Sequence, residues 1–212
     1  MTEPHAQGAA AAEPGPQPMS ATIPAGLVIP LDAARTPEVH GSVWLAPGSV
    51  VVGAVRIAED ASIWYHAVVR GDSDAIEIGA RANLQDGVVI HTHRGGHPAV
   101  IGADVSIGHN AVVHGATIED GALIGMSATV LNGATVGTGS LVAAGALVPQ
   151  GVVIPPHSLV AGVPARVVRE LRAEERDSLT ENAAAYLGYT ALHRAATRGA
   201  GGEMEAGARD AL

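Results

Sequence analysis

The chain has 212 residues, no cysteine and a formal net charge of −9. Without cysteine it forms neither disulfides nor thiolate metal sites, and its acidity argues against a nucleic-acid backbone as partner. No apolar run approaches the ~20 residues of a membrane span, and the N-terminus lacks the basic region and apolar core of a secretory signal, so a cytoplasmic setting with no membrane partner is expected.

Residues 1–25, rich in Ala, Pro, Gly and Gln, read as a disordered tail, and residues 26–38 as a lead-in. From Val39 an aliphatic residue recurs at every sixth position: Val39, Leu45, Val51, Ile57, Ile63 and Val69, then Ile78, Leu84 and Ile90, then Ile101, Ile107 and Val113. The series resumes at Ile118 and runs through Ile124, Val130, Val136, Val142, Val148 and Ile154 to Val160. A short fixed period marks a solenoid, whose units bury their apolar residue only by stacking. Six residues fit a short strand and a tight bend rather than a helix, and the Val/Ile bias favours strand. A narrow interior also suits a chain with no Phe and only Trp44, Trp64, Tyr65, Tyr186 and Tyr189 as aromatic residues.

The pattern resembles the left-handed parallel β-helix of hexapeptide-repeat proteins. That resemblance implies an all-β fold in which three hexapeptides make one triangular coil and residues eighteen apart stack, giving roughly seven coils within a β-helix domain over 26–163. Residues 164–197 are predicted to be a C-terminal helical segment. In it Val167, Val168 and Leu171, then Leu179, Ala183, Tyr186 and Leu187, recur at three and four, with Ser178 or Thr180 capping a second helix after a break. Residues 198–212, rich in Gly, Ala and Glu, read as a flexible tail.

Three phase breaks interrupt the period. Val69 to Ile78 is nine residues, which places an insertion around Gly71–Ala75; Ile90 to Ile101 is eleven, with Arg94–Pro98 extra; Val113 to Ile118 is five, one residue short. Loops that leave a rigid solenoid are where function tends to sit. Here they flank three histidines. His91 follows inward Ile90 and His114 follows inward Val113, so both hold the same slot of their hexapeptide. On the β-helix they stack in adjacent coils, roughly 4.8 Å apart in backbone. His109 lies around a corner and does not easily reach the other two within one subunit; a second copy of the chain could deliver it, which points to a site shared across an interface closed by cyclic symmetry. Three imidazoles with one open position are what a catalytic zinc takes, and such a metal makes hydroxide from water near neutral pH. Taken singly, each histidine also fits an ordinary surface position.

Val69–Asp72, Asn83–His91, Ile107–Gly115 and Ile124–Met126 resemble the γ-class carbonic anhydrase family. The resemblance covers residues 39–190. It implies a metal-dependent lyase that hydrates CO2 to bicarbonate, and a homotrimer with Zn2+, or Fe2+ or Co2+, at each subunit interface. His91 and His114 would come from one subunit and His109 from its neighbour. Arg70 and Asp72 resemble an interface ion pair, Gln85 the residue that orients the metal's water, and Asp86 an acid paired with the interface arginine. Tyr186 resembles a helix tyrosine that reaches the active site, and core packing of the helix accounts for it as well. The chain departs from the best-characterised members where they carry proton-exporting glutamates: Ser73 and Arg94 stand there instead, which leaves His93 or His97 to carry protons. A rival resemblance lies in Ile154–Arg166, similar to the closing segment of hexapeptide acyltransferases, which use one histidine as general base; His157 in that segment reads as an exposed turn residue rather than as a base. A metal-dependent thioesterase and a silent trimeric scaffold are the other readings.

Overall fold

The computed structural model describes residues 25–207, and side chains over 25–197. The predicted tail over 1–25 therefore lies almost wholly outside the described residues, as do residues 208–212. The hexapeptide series forms a parallel β-helix of short strands, left-handed as in the hexapeptide-repeat proteins. One of its three faces is an eight-stranded sheet that climbs from Trp44–Leu45 through Asn83–Leu84 and Ser106–Ile107 to Leu123–Ile124 and Leu141–Val142. The other two faces merge into one twelve-stranded sheet, because Val50–Ile57 and Val68–Ile78 run unbroken through the corner between them. Stacking follows the coil length: Leu123 pairs with Leu141, and Thr129 with Leu147.

The core is the aliphatic series together with the buried, mostly Ala residues two positions before its members, such as Ala61, Ala67, Ala82 and Ala111. Val51, Val69, Ile90, Ile107, Val113, Ile124 and Val130 are fully buried in a single cluster, with Val39 and Leu45 partly buried at the first coil. A large-to-small change in such a cluster leaves a cavity that costs ~2–5 kcal/mol. The aromatic rings stay outside this interior. Trp44 and Trp64 meet edge-on at 4.9 Å between centroids, and Tyr186 from the C-terminal helix caps Trp64 at 5.3 Å.

The segment predicted as helix from Ala165 is partly strand. Ser158–Gly162 and Ala165–Glu170 form an antiparallel hairpin, turned at Gly162–Pro164, and Val167 and Val168 are exposed on it. The three-four recurrence of Val167, Val168 and Leu171 was a coincidence of spacing, and the β-branched pair after a Pro turn took its strand preference. The helix, α1, runs Ala173–Gly207 without a break. No second cap forms at Ser178 or Thr180, and 198–207 belongs to the helix rather than to a flexible tail. Its start carries one half of a capping box: the Glu175 carboxylate accepts the backbone N–H of Arg172 at 2.9 Å. Two hydrogen bonds of 2.7 Å from the Arg169 guanidinium join it there. Those bonds, Arg169 first, hold the Glu175 carboxyl down at about 2. Among the described residues no helix is long and apolar enough to cross a membrane.

Candidate metal centre

Strand alternation places the first half of the site. Residues at i and i+2 of a strand face the same way. In three adjacent strands Val69, Ile90 and Val113 point inward, so Arg70, His91 and His114 stack outward in register. Their neighbours two positions back, Val68, Val89 and Val112, face the same side. They continue into Val50, Thr129 and Leu147 as one half-buried, mostly apolar stripe beside the site.

The rings of His91 and His114 lie 4.9 Å apart, with His91 Nδ1 3.0 Å from His114 Nε2. Each ring's other nitrogen is tied. His91 Nε2 is 2.8 Å from Asp72 Oδ1, and His114 Nδ1 is 2.6 Å from Asn132 Oδ1. A carboxylate and an amide carbonyl only accept, so both of those nitrogens carry the proton and donate. In neutral rings the remaining two nitrogens then present lone pairs to each other at 3.0 Å. That contact needs a cation between them, a proton or a metal ion. Two imidazole nitrogens on a tetrahedral zinc at about 2.05 Å each lie about 3.3 Å apart, so the pair fits a metal with a few tenths of an ångström of adjustment.

Asp72 reaches His91 because three extra residues sit in its strand. Gly53 pairs with Gly71 but Val55 pairs with Ile76, so Asp72–Ala75 bulges from the ladder. Thr92 Oγ1 accepts the Asp74 N–H at 3.0 Å, and Arg35 Nη1 donates to the Asp72 carbonyl at 3.2 Å. Burial raises the Asp72 carboxyl, but hydrogen bonds and charge from His91 and Arg70 outweigh it and hold it at about 2. Because its folded value is depressed, the carboxylate's stabilising contribution is complete above the ordinary range near 4 and lost as pH falls through about 2. NMR titration of the Asp72 side-chain carbon should give that low midpoint. An ordinary midpoint would remove the His91 and Arg70 bonds from the account.

The second half lies on another face. Asp86 and His109 sit at the same corner of adjacent coils, and His109 Nδ1 is 2.8 Å from Asp86 Oδ2, leaving Nε2 outward on a side chain 40% exposed. Within one chain, Asp86 is therefore paired with His109. Gln85 is buried, its Nε2 donating to Asn83 Oδ1 at 3.1 Å, and Asn83 in turn donates to Ser106 Oγ at 2.8 Å. Gln85, His109 and Tyr186 line one hollow of ≈ 440 Å³ beneath α1. Tyr186 thus both packs on Trp64 and faces the hollow. Burial first, then the Asp86 charge, raises its hydroxyl pKa and keeps it protonated.

One chain brings together Arg70, Asp72, His91 and His114, and separately Gln85, Asp86, His109 and Tyr186. Among its described residues it does not gather three His, Cys, Asp or Glu side chains that can hold a metal. His93 and His97 bridge across the base of the 94–98 loop, and the His93 ring is 6.4 Å from that of His114. His157 is a half-buried turn residue at φ 56, its Nδ1 enclosed without a partner. Sequence reasoning missed Asn132, Arg35 and Thr92. Of these, Asn132 and Thr92 left a signal, standing eighteen residues from His114 and from Asp74.

A protein from Methanocaldococcus jannaschii named "Probable carbonic anhydrase" is 60% identical over 146 residues, 69% of this chain and 91% of the relative. The chain belongs to the γ carbonic anhydrase-like family. Its member in Arabidopsis thaliana named "Gamma carbonic anhydrase 1, mitochondrial" is 40% identical over 166 residues, 76% of this chain and 60% of the plant protein. The repeat family described as "Hexapeptide repeat of succinyl-transferase" matches residues 98–126 and 115–149. A solved structure described as a putative acetyltransferase from Bacillus cereus superposes with a TM-score of 0.78 at 34% identity, over 81% of this chain and 99% of that one. The family thus joins proteins named for two chemistries on one fold, and the residues of the site have to separate them.

Proposed function

We propose that the chain is a γ-type carbonic anhydrase, hydrating CO2 to bicarbonate at metal centres between the subunits of a homotrimer. The observation that carries this reading is the His91–His114 pair, whose facing nitrogens at 3.0 Å call for a cation. His91 and His114 hold the metal from one subunit and His109 Nε2 completes the set from the next; Zn2+ fits this donor set, as do Fe2+ and Co2+. When bound, the metal supplies the Lewis acidity that makes hydroxide from water near neutral pH. The partner is a second copy because the apolar stripe of Val50, Val68, Val89, Val112 and Leu147 runs directly beside the half-site. Burying such a stripe is favourable by ~25 cal/mol per Å² of apolar surface.

The chain's own residues then have separate tasks. Asn83 fixes the Gln85 amide by its nitrogen, which leaves the oxygen to accept from and orient the attacking water. Asp72 and Asp86 hold the tautomers of His91 and His109, and Arg70 anchors Asp72. Tyr186, protonated, donates to an oxygen of substrate or product in the hollow. The proton released leaves by way of His93 or His97, imidazole being a side chain that can both take up and give back a proton.

The test is stopped-flow CO2 hydration on anaerobically purified protein with its metal content measured. Metal near one per chain with hydration is expected, and Gln85→Ala should cost roughly 10²-fold in kcat, as loss of one preorganised polar group does. Metal without hydration would move the assignment to a thioesterase or a scaffold. The acyltransferase reading is favoured by the names of the repeat family and of the Bacillus structure, not by a residue of the site. His157, enclosed at a turn, is poorly placed as its base, and no saturable binding of acyl-coenzyme A is expected.

A further inference from the structure

Resting on the metal reading above, we infer that Asn132 is a positioning residue of the metal centre: its side-chain carbonyl sets the His114 ring so that Nε2, and not Nδ1, faces the ion. The geometry begins with the short coil. Val113 pairs with Val130, so Gly115 stacks directly on Asn132. The backbone agrees, since Gly133 N–H donates to the Gly115 carbonyl at 2.7 Å. One coil earlier in the chain the same column holds Thr92, whose hydroxyl carries the Asp72–Ala75 bulge through Asp74. Gly115 between them has no side chain, and a Cβ there would stand 2.8 Å from Asn132 Oδ1. The missing Cβ is what lets the Asn132 amide rise from its own coil to the His114 Nδ1 at 2.6 Å.

The direction of that bond decides the chemistry. An imidazole has two nitrogens and, when neutral, one proton. Asn132 Oδ1 accepts the proton on Nδ1, which leaves the Nε2 lone pair to point at His91. Asp72 does the same for His91 from the opposite side, holding Nε2–H and freeing Nδ1. The two ligands thus present different nitrogens, fixed by two different acceptors, one charged and one neutral. Without the acceptor at 132 the His114 ring turns freely about χ2 and carries its proton on either nitrogen. The ordered pair is then lost before a metal arrives. Outer partners of metal-bound histidines commonly matter by about 10–100-fold in affinity.

The experiment compares wild type, Asn132→Leu, Asn132→Asp and His114→Ala as full-length protein. Zn2+ affinity is read by competition with a chromophoric chelator, and the visible spectrum is recorded with Co2+ in the site. Melting of the metal-free proteins checks folding. Leu keeps the volume and removes the acceptor; Asp keeps the acceptor. Asn132→Leu is expected to weaken Zn2+ by about 10–100-fold and to alter the Co2+ bands while the metal-free protein melts normally. Asn132→Asp should retain affinity within a few-fold of wild type. If wild type and Asn132→Leu bind equally while His114→Ala does not bind, the metal centre stands and the role of Asn132 is refuted. Retention by Leu with loss in Asp refutes it too, since volume would then be what matters. Wild type that takes up no metal overturns the centre itself and this inference with it. Should Asn132→Leu fail to fold, Asn132→Ser, whose shorter hydroxyl cannot reach the ring, takes its place with the same expected loss.

Discussion

Protein carrying His109→Ala is expected to lose its metal as completely as protein carrying His114→Ala, although His109 lies on a different face of the chain and bonds to Asp86 rather than to the other histidines. The reason is the division into halves. In the proposed arrangement one subunit offers His91 and His114 with lone pairs converging, and the third nitrogen comes from the corner of the next subunit. Removing a metal ligand costs more than the roughly 10–100-fold of an outer partner. A sharper result comes from mixing the two variants. In a closed ring of three, each interface joins the His91/His114 half of one subunit to the His109 half of the next. Any mixed ring of His109→Ala and His114→Ala subunits contains a single interface at which both halves are intact. Co-refolded or co-expressed rings, separated by different tags, should therefore carry about one metal for every three chains, where each variant alone carries none. Mixed rings without metal would mean that the halves belong to no common site.

The legible part of this molecule was the part that repeats. In this β-helix every sixth position carries Val, Ile or Leu, so the fold and the large side chains of the core follow from counting. The same counting placed His91 against His114, because register in a stacked coil is set by sequence separation alone. What eluded it depends on contacts outside the repeat. Asp86 turned to His109 because the two share a corner one coil apart, and a corner residue chooses its partner by rotamer, which no period encodes. The hairpin at Ala165–Glu170 arose where the repeat ended and local preference competed with a chance helical spacing. Asn132 was obscured by the short coil, since its approach to His114 depends on a glycine whose purpose appears only once two coils are stacked.

The second large effect concerns that same dependence on absent side chains, at the bulge that carries Asp72. Gly53→Ala should cost more than about 2 kcal/mol and weaken metal binding in the same variant. Gly53 has φ +85, a left-handed conformation that an L side chain enters at a cost of about 1–2 kcal/mol. Its added Cβ would also stand 2.3 Å from the Gly71 carbonyl oxygen and 2.7 Å from its carbon. Those are backbone atoms of the neighbouring strand, so the chain itself must shift. The register is already irregular here, with Gly53 opposite Gly71 and Val55 opposite Ile76, and Asp72 follows Gly71 directly. A shift at Gly71 therefore carries the Asp72 carboxylate away from His91 Nε2, to which it now lies at 2.8 Å. With about 2–4 °C per kcal/mol for a chain of this size, the melting midpoint should fall by at least about 4 °C. Two further glycines separate the causes. Gly95 is at φ +109 with open space around it, so Gly95→Ala isolates the backbone strain. Gly41 has neither positive φ nor near neighbours, so Gly41→Ala should melt like the wild type. Only Gly53→Ala should lower the melting point and the Zn2+ affinity together. If it melts as wild type does, the close crossing of Gly53 and Gly71 is not what holds the bulge. If it melts low but binds zinc normally, the bulge tolerates the shift, and Asp72 is tied to His91 by contacts other than its strand.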